Sequence, residues 1–364
     1  MKAYTNNLLN CFNKYDNFIE RFGVPVEIKD IPDNEIPGAL DPREVPYAEA
    51  FYKNNKGSSA QQGIEGIRRA TGYVNYNINT VEIITDCVDI KRNNKNIRIW
   101  IYYPRKPFDI TDRPGFIYIH GGSFFAGSPF ICENTCRYLA ECANCVVFNI
   151  DYSLAPEYPF PEGYNDCRAV LDYVYENASK HGVDKNKLCI GGDSAGGSLA
   201  ASVSICDQQR RVKLNALYYP SATFEYNNLP FKWDINDYEI FQEQHHLIEP
   251  KLCLGRADGK GDDMLMLMIK QIYLQHGEDP KDPAISPLCG DFTGLGRSLI
   301  ITSEFDGLRY HGEYLASLLN KSGVSTRTIR YRGVFHAFMD KIGILPQAED
   351  AIKETAKEMK LLFG

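Results

Sequence analysis

The sequence predicts an α/β protein, with a mostly parallel central sheet flanked by helices and a helical cap. Three observations predict it. From about residue 110, short apolar runs alternate with helix-like stretches, the pattern of a parallel sheet covered on both faces. Glycine-rich turns follow two of these runs, at His120–Gly127 and Gly192–Gly197. Asp306 and His336 lie just past two more, where α/β folds place functional groups.

The elements follow in order. Residues 1 to about 70 read as helical and polar, with Leu8, Leu9, Phe12, Phe18, Ile19 and Phe22 as an apolar stripe. Pro25, Pro32, Pro37, Pro42 and Pro46 break up the stretch that follows. Val81 to Ile90 and Ile97 to Tyr103, separated by the polar turn Lys91 to Asn96, read as a hairpin. Gly115 to Ile119 is a third strand, Pro129 to Ala140 a helix and Cys145 to Ile150 a strand. Tyr164 to His181 is a long helix with Val170, Leu171, Val174 and Tyr175 on one face. Leu188 to Gly191 is a strand, Ser198 to Gln208 a helix and Leu214 to Tyr219 a strand. Ser298 to Thr302 and Thr326 to Tyr331 are two further strands, and Ala348 to Phe363 an amphipathic helix. Thr223 to about Pro283 has no strand-like alternation. It carries Trp233, His245, His246 and the glycine- and charge-rich Gly255 to Asp263, and reads as an insertion of helices and loops. The expected division is a core of residues 75–222 and 284–364, with 1–74 and 223–283 as a cap.

Composition narrows the function. A chain of 364 residues, 44% hydrophobic and 24% charged, is an ordinary globular protein. The net charge of −7 argues against a nucleic-acid surface. No run approaches the ~18 apolar residues of a membrane span. The N-terminal stretch, with Asp16 and Glu20, has no apolar core like that of a signal peptide, so a cytoplasmic location is expected. Eleven cysteines without an export signal are expected as reduced thiols. Cys132, Cys136, Cys142 and Cys145 cluster, and their spacing admits a zinc site. The core reading is stronger, because cysteine packs as a small apolar residue and Cys145 opens an apolar strand. The sequons at Asn177 and Asn320 read as helix-end coincidences.

The chemistry lies in Gly192-Asp193-Ser194-Ala195-Gly196-Gly197. A serine between close-set glycines, on a tight turn from strand to helix, is pushed out of the sheet. A side chain two residues before or after it would clash, and the N–H groups that follow are left free for an anion. Upstream, His120-Gly121-Gly122-Ser123 follows a strand and can bring bare N–H groups to a substrate oxyanion. The expected donors are Gly121, Gly122 and Ala195, with His120 bracing the loop and Asp193 supporting the serine motif. Downstream come Asp306 and His336, in the order serine, acid, histidine. A serine hydroxyl is a weak nucleophile, so His336 must take its proton, and Asp306 must orient the imidazole. Glu304 is the rival acid, but the shorter carboxylate at the loop tip suits the position better. Among the seven histidines, His181 reads as a helix-end cation and His311 as part of the helix after Asp306. His245 and His246 read as a surface pair.

Four separated blocks resemble the hormone-sensitive-lipase-like esterases of the α/β-hydrolase fold. They are the loop at His120, Asp151-Tyr152-Ser153-Leu154-Ala155-Pro156-Glu157, the serine motif, and Ser286-Pro287-Leu288 leading to Glu304-Phe305-Asp306 and His336. The resemblance covers about residues 80 to 345. It implies a cap built from the N-terminus and the insertion, bracing of the site by Asp151 to Pro161, and carboxylic-ester hydrolysis without metal or cofactor. There are departures. Ser123 replaces a third glycine, Gly307 stands where proline is common, and Arg297-Ser298 replaces a proline-like strand entry. The expected function is hydrolysis of small soluble esters with short acyl chains, such as acetyl esters. Acetylated sugars are included because aromatic rings stack on sugars and the chain has 23 tyrosines. An amidase or other acyl hydrolase with the same triad, and a ligand receptor that lost the chemistry, are the alternatives. The expected partners are a small ester substrate and at most a second copy, with neither nucleic acid nor membrane.

Overall fold

The computed structural model describes residues 2–12, 17–55, 63–106, 109–226, 229–254 and 264–364. Asp16 and the Gly255–Asp263 stretch lie outside the described residues. Ten strands form one sheet: β1 Phe18–Arg21, β2 Val24–Lys29, β3 Ile84–Arg92, β4 Lys95–Tyr103, β5 Arg113–Ile119, β6 Val146–Asp151, β7 Val183–Asp193, β8 Val212–Tyr218, β9 Arg297–Phe305 and β10 Thr326–Phe335. Their spatial order is β1-β2-β10-β9-β8-β7-β5-β6-β4-β3. The pairs from β2 through β6 are parallel, and the β1–β2, β3–β4 and β4–β6 pairs are antiparallel. The hairpin and the six later strands therefore form where their apolar patterns place them.

The helices are α1 Asn6–Cys11, α2 Val45–Asn55, α3 Ile64–Ala70, α4 Glu133–Ala143, α5 Glu162–Asn177, α6 Ala195–Cys206, α7 His245–Leu252, α8 Met264–Tyr273, α9 Arg309–Lys321 and α10 Pro346–Phe363. Side chains alternate across the central strands, as the period of two requires. Ile117 and Ile119 of β5 join α5, α6 and α9 in one core. Phe116 and Tyr118 face the other way, into a core with α4 and α10. Both faces of the sheet are thus dry. Among the described residues, no helix is long and apolar enough to cross a membrane.

The N-terminal reading needs correction. Phe18–Arg21 and Val24–Lys29, expected to be helical, are strands, and β2 pairs with β10 at the edge of the sheet. The pattern Val24, Val26, Ile28, with all three side chains buried, has the strand period. Long-range pairing decides the conformation, because β10 offers an open edge. His181 also differs from expectation. It is buried between the hydroxyls of Tyr103 (2.7 Å from Nδ1) and Tyr173 (3.1 Å from Nε2). Burial pushes its pKa down, so the ring is neutral rather than a helix-end cation. Cys132, Cys136 and Cys145 are buried and Cys142 is half-buried, all as free thiols. Asn177 ends α5, and Asn320 lies in the last turn of α9.

The insertion between β8 and β9 contains α7 and α8 and, among its described residues, no strand. It packs on the N-terminal segment. Leu40 and Ala48 share a core with Tyr238, Leu247, Ile248 and Leu252. The backbones also join, through the Phe241 N–H on the Gly38 carbonyl at 2.9 Å. Phe305 and Phe335, the last residues of β9 and β10, lie in the same core. Both irregular regions therefore meet over the C-terminal ends of those strands.

Candidate active site

Strand register assembles the site. Phe305 of β9 pairs with Phe335 of β10, so Asp306 and His336 leave the sheet side by side. Ile119 of β5 pairs with Gly192 of β7, which puts the His120 loop beside Ser194. The chain crosses from β5 by α4 to β6, and from β7 by α6 to β8. Crossovers thus leave the adjacent strands β5 and β7 in opposite directions along the sheet, and a crevice opens at their carboxyl ends.

Ser194 sits between β7 and α6 with φ 56° and ψ −119°. A non-glycine residue in that region costs about 1–3 kcal/mol and persists only when its surroundings force it. Here they do. Built on Gly196, a Cβ would stand 2.0 Å from the Ile119 carbonyl oxygen, and on Gly192 it would stand 2.2 Å from the same atom. The two glycines let the elbow press against the end of β5.

Ser194 Oγ lies 2.9 Å from His336 Nε2, and His336 Nδ1 lies 2.7 Å from Asp306 Oδ2. The carboxylate also accepts the Leu308 N–H at 2.8 Å and the Ser303 hydroxyl at 3.2 Å. Burial disfavours the charge on Asp306, but the His336 ring and these donors outweigh it and hold its pKa below the usual range. For His336, burial pushes the pKa down, and the Asp306 carboxylate more than restores it, leaving it raised. The Tyr219 ring stands edge-on to the imidazole with centroids 4.8 Å apart. The Tyr238 hydroxyl donates to the Asp306 carbonyl at 2.9 Å. Glu304, the rival acid, is turned away. It accepts the Gly333 N–H at 2.7 Å and pairs with Arg332 at 3.3 Å.

The loop after β5 carries the expected oxyanion donors. Gly122 has φ 124°, and a Cβ there would lie 2.0 Å from the Ala126 carbonyl oxygen, so this turn admits no side chain. Among the described residues, the Gly122 and Ala195 N–H groups have no acceptor. Gly121 differs. Its N–H donates to Asp193 Oδ1 at 3.1 Å, an oxygen that also accepts the Tyr118 hydroxyl at 3.1 Å. A buried carboxylate draws in the nearest donors, so the Gly121 N–H is engaged in bracing the loop. Burial raises the Asp193 pKa to about 6. His120 is buried, stacks on Tyr152 at 4.4 Å and places Nδ1 2.7 Å from the Gly121 carbonyl. Burial lowers its pKa to about 4, which makes it a neutral brace. Ser123 takes φ 56° in place of the third glycine.

Sequence reasoning missed several supports. Arg68 of α3 donates to the carbonyls of Phe125 (2.7 Å) and Ala155 (2.9 Å) and pairs with Glu157 at 2.6 Å. It ties the N-terminal segment to the glycine loop and to the Asp151–Pro161 stretch. Tyr219 and Tyr238 have no motif to mark them, because they meet residues distant in sequence, whereas Ser303 lies three residues before Asp306 and only the turn at the end of β9 aims its hydroxyl at the carboxylate.

A family profile described as "alpha/beta hydrolase fold" matches residues 116–340, more than half of the chain. The chain belongs to the hormone-sensitive-lipase-like α/β-hydrolase family. This hydrolase is 29% identical over 303 residues to an "Arylesterase" of Saccharolobus solfataricus, covering 82% of the chain and 92% of that protein. It is 28% identical over 259 residues to "Carboxylesterase NlhH" of Mycobacterium tuberculosis, covering 70% and 75% respectively. The solved structure of a hyperthermophilic esterase from the archaeon Pyrobaculum calidifontis superposes with a TM-score of 0.71 at 27% identity. That match covers 89% of the hydrolase and 99% of the esterase chain.

Proposed function

We propose that this carboxylic ester hydrolase works through Ser194, His336 and Asp306 and acts on small soluble esters with short acyl chains, acetyl esters among them. The observation that carries the reading is the continuous hydrogen-bonded chain from Ser194 Oγ through the imidazole to the Asp306 carboxylate. His336 takes the serine proton as Oγ attacks the ester carbonyl carbon, and Asp306 stabilises the imidazolium. The carbonyl oxygen becomes an oxyanion held by the N–H groups of Gly122 and Ala195. Gly121, engaged with Asp193, is the weakest member of the donor set. The tetrahedral intermediate collapses, His336 gives its proton to the leaving alkoxide and the acyl group stays on Ser194. Water, activated by the same imidazole, then releases the acid and restores Ser194.

We assign the cap to residues 1–74 and 223–283, with the strands at 18–29 as its anchor on the sheet. The packing of Leu40 and Ala48 on α7 over Phe305 and Phe335 supports this. So does the stacking of Phe124, beside the glycine loop, on Tyr273 of α8 with centroids 4.2 Å apart. These rings, with Phe224, make an aromatic wall next to the donors, which suits a compact acyl group. The location that goes with this reading is the cytoplasm, where eleven cysteines would stay reduced thiols.

The test is Ser194→Ala with p-nitrophenyl acetate. Turnover is expected to fall by several orders of magnitude while far-UV circular dichroism stays the same. Turnover in the variant comparable to that of the natural protein would refute the assignment. An acyl-length series is expected to peak at short chains.

A further inference from the structure

Two ammonium groups and one carboxylate stand against the end of β10. Lys341 Nζ lies 2.5 Å from Glu44 Oε1, and both side chains are fully buried. Lys251 Nζ, from α7, lies 3.8 Å from the same oxygen, beyond hydrogen-bond reach. The three groups together carry one positive charge in excess. Asp340 is a weakened counter-ion, because burial and then the nearby Asp193 charge push its pKa well above its ordinary value while Lys341 pulls it back down.

Among the described residues, no acceptor lies within hydrogen-bond distance of Lys251 Nζ. Aromatic rings surround it instead: Phe335 at 4.2 Å, Tyr73 at 5.9 Å and Phe51 at 6.0 Å. Phe335 immediately precedes His336, and the charge on Lys251 is felt at the His336 ring, whose pKa it pushes down. Lys251 keeps 13% of its side chain exposed, while Glu44 and Lys341 keep none, so of the three groups only Lys251 is open to a ligand. Burial lowers its pKa to about 8, which still leaves it mostly charged at pH 7. Lys251 is a largely buried cation whose nearest carboxylate, 3.8 Å away, is held at shorter range by Lys341, so a further anion that reaches its exposed part would be favoured.

We propose that Lys251 binds a carboxylate carried by the ester substrate, so that the site prefers anionic esters to neutral esters of the same length. This rests on the ester hydrolysis at Ser194 proposed above. It makes Lys251 a specificity-determining residue of the cap rather than a participant in bond breaking. The carboxylate could come from either half of the ester, and two substrate series separate these sources. Monoethyl esters of four- to eight-carbon dicarboxylic acids carry it on the acyl side, with ethyl esters of monocarboxylic acids as neutral controls. Acetylated hydroxy acids carry it on the alcohol side, with acetylated simple alcohols as controls.

The readout is the ratio of kcat/KM for anionic over neutral substrate, followed by pH-stat. Lys251→Met is expected to lower that ratio about tenfold or more in one series, chiefly through KM. Lys251→Arg is expected to retain most of it. A ratio unchanged by Lys251→Met in both series overturns the proposal while leaving the esterase reading intact. A natural protein that hydrolyses neither neutral nor anionic esters overturns both. Protection of Ser194 from a fluorophosphonate probe needs no variant. Stronger protection by glutarate than by glutaramide supports the proposal, and equal protection overturns it.

Discussion

On the proposed mechanism, His336 carries the pH dependence of the reaction. As the proposed base it must be neutral to accept the serine proton, and its pKa is raised because the Asp306 carboxylate outweighs burial. Activity therefore falls as pH drops through a value above the ordinary imidazole pKa of ~6.5. The expected outcome is an acid limb of kcat/KM above pH 6.5, and a limb at or below that value would contradict the geometry. Asp306→Asn removes the carboxylate and its control of the tautomer, so kcat should drop by up to about 10⁴-fold. These three residues were legible because each ends a strand run, and the chemistry needs a nucleophile, a base and an acid in turn. The bond from Gly121 to Asp193 was not. Both residues belong to motifs, but which N–H meets which carboxylate depends on the β5–β7 register, and no local pattern encodes that.

At the scale of elements, the turn from β7 to α6 depends on close contact between two backbones. Gly196→Ala forces a Cβ to within 2.0 Å of the Ile119 carbonyl oxygen and 2.5 Å of that of His120. Neither atom belongs to a flexible side chain, so the turn itself must move. Urea denaturation is expected to show a loss of about 3 kcal/mol, with esterase activity falling further as Ser194 leaves its place. Gly63→Ala is the control. Nothing lies within 4 Å of a Cβ there, so the only expected loss is that of a glycine N-cap of α3 replaced by alanine, at most about 1 kcal/mol. The parallel strands were readable because burial on both faces gives them continuous apolar runs. The strands β1 and β2 were not, since they are short and lie in a polar, proline-broken stretch whose conformation depends on the open edge of β10.

The whole molecule is closed by charges that span its two ends. Lys29, at the end of β2, is buried with Nζ 3.2 Å from Glu27 and 3.3 Å from Glu354 of α10. Arg327 of β10 joins the same acids, at 2.6 Å from each. Replacing Lys29 with Met leaves buried carboxylates short of a cation, with an expected cost of about 3 kcal/mol in urea or thermal unfolding. A loss below about 0.5 kcal/mol would show that Arg327 and Lys357, whose Nζ lies 2.5 Å from Glu354, suffice. Two of these pairs span the chain, with Lys29 and Glu354 325 positions apart and Arg327 and Glu27 300 apart, and no local pattern marks their members. The Lys251, Lys341 and Glu44 group is of the same kind, drawn from three distant segments and visible only once folded. By itself, the sequence determined the sheet's central strands, the elbow at Ser194 and the order of the acid and the histidine. Those features answer to local demands: apolar periodicity, and glycine where a side chain cannot fit. Only the tertiary structure decided the N-terminal strands, the engaged Gly121 donor and the grouping of Lys251, Lys341 and Glu44 at the end of β10. Each of these depends on which distant groups burial brings together, and that is set by the packing of the whole chain.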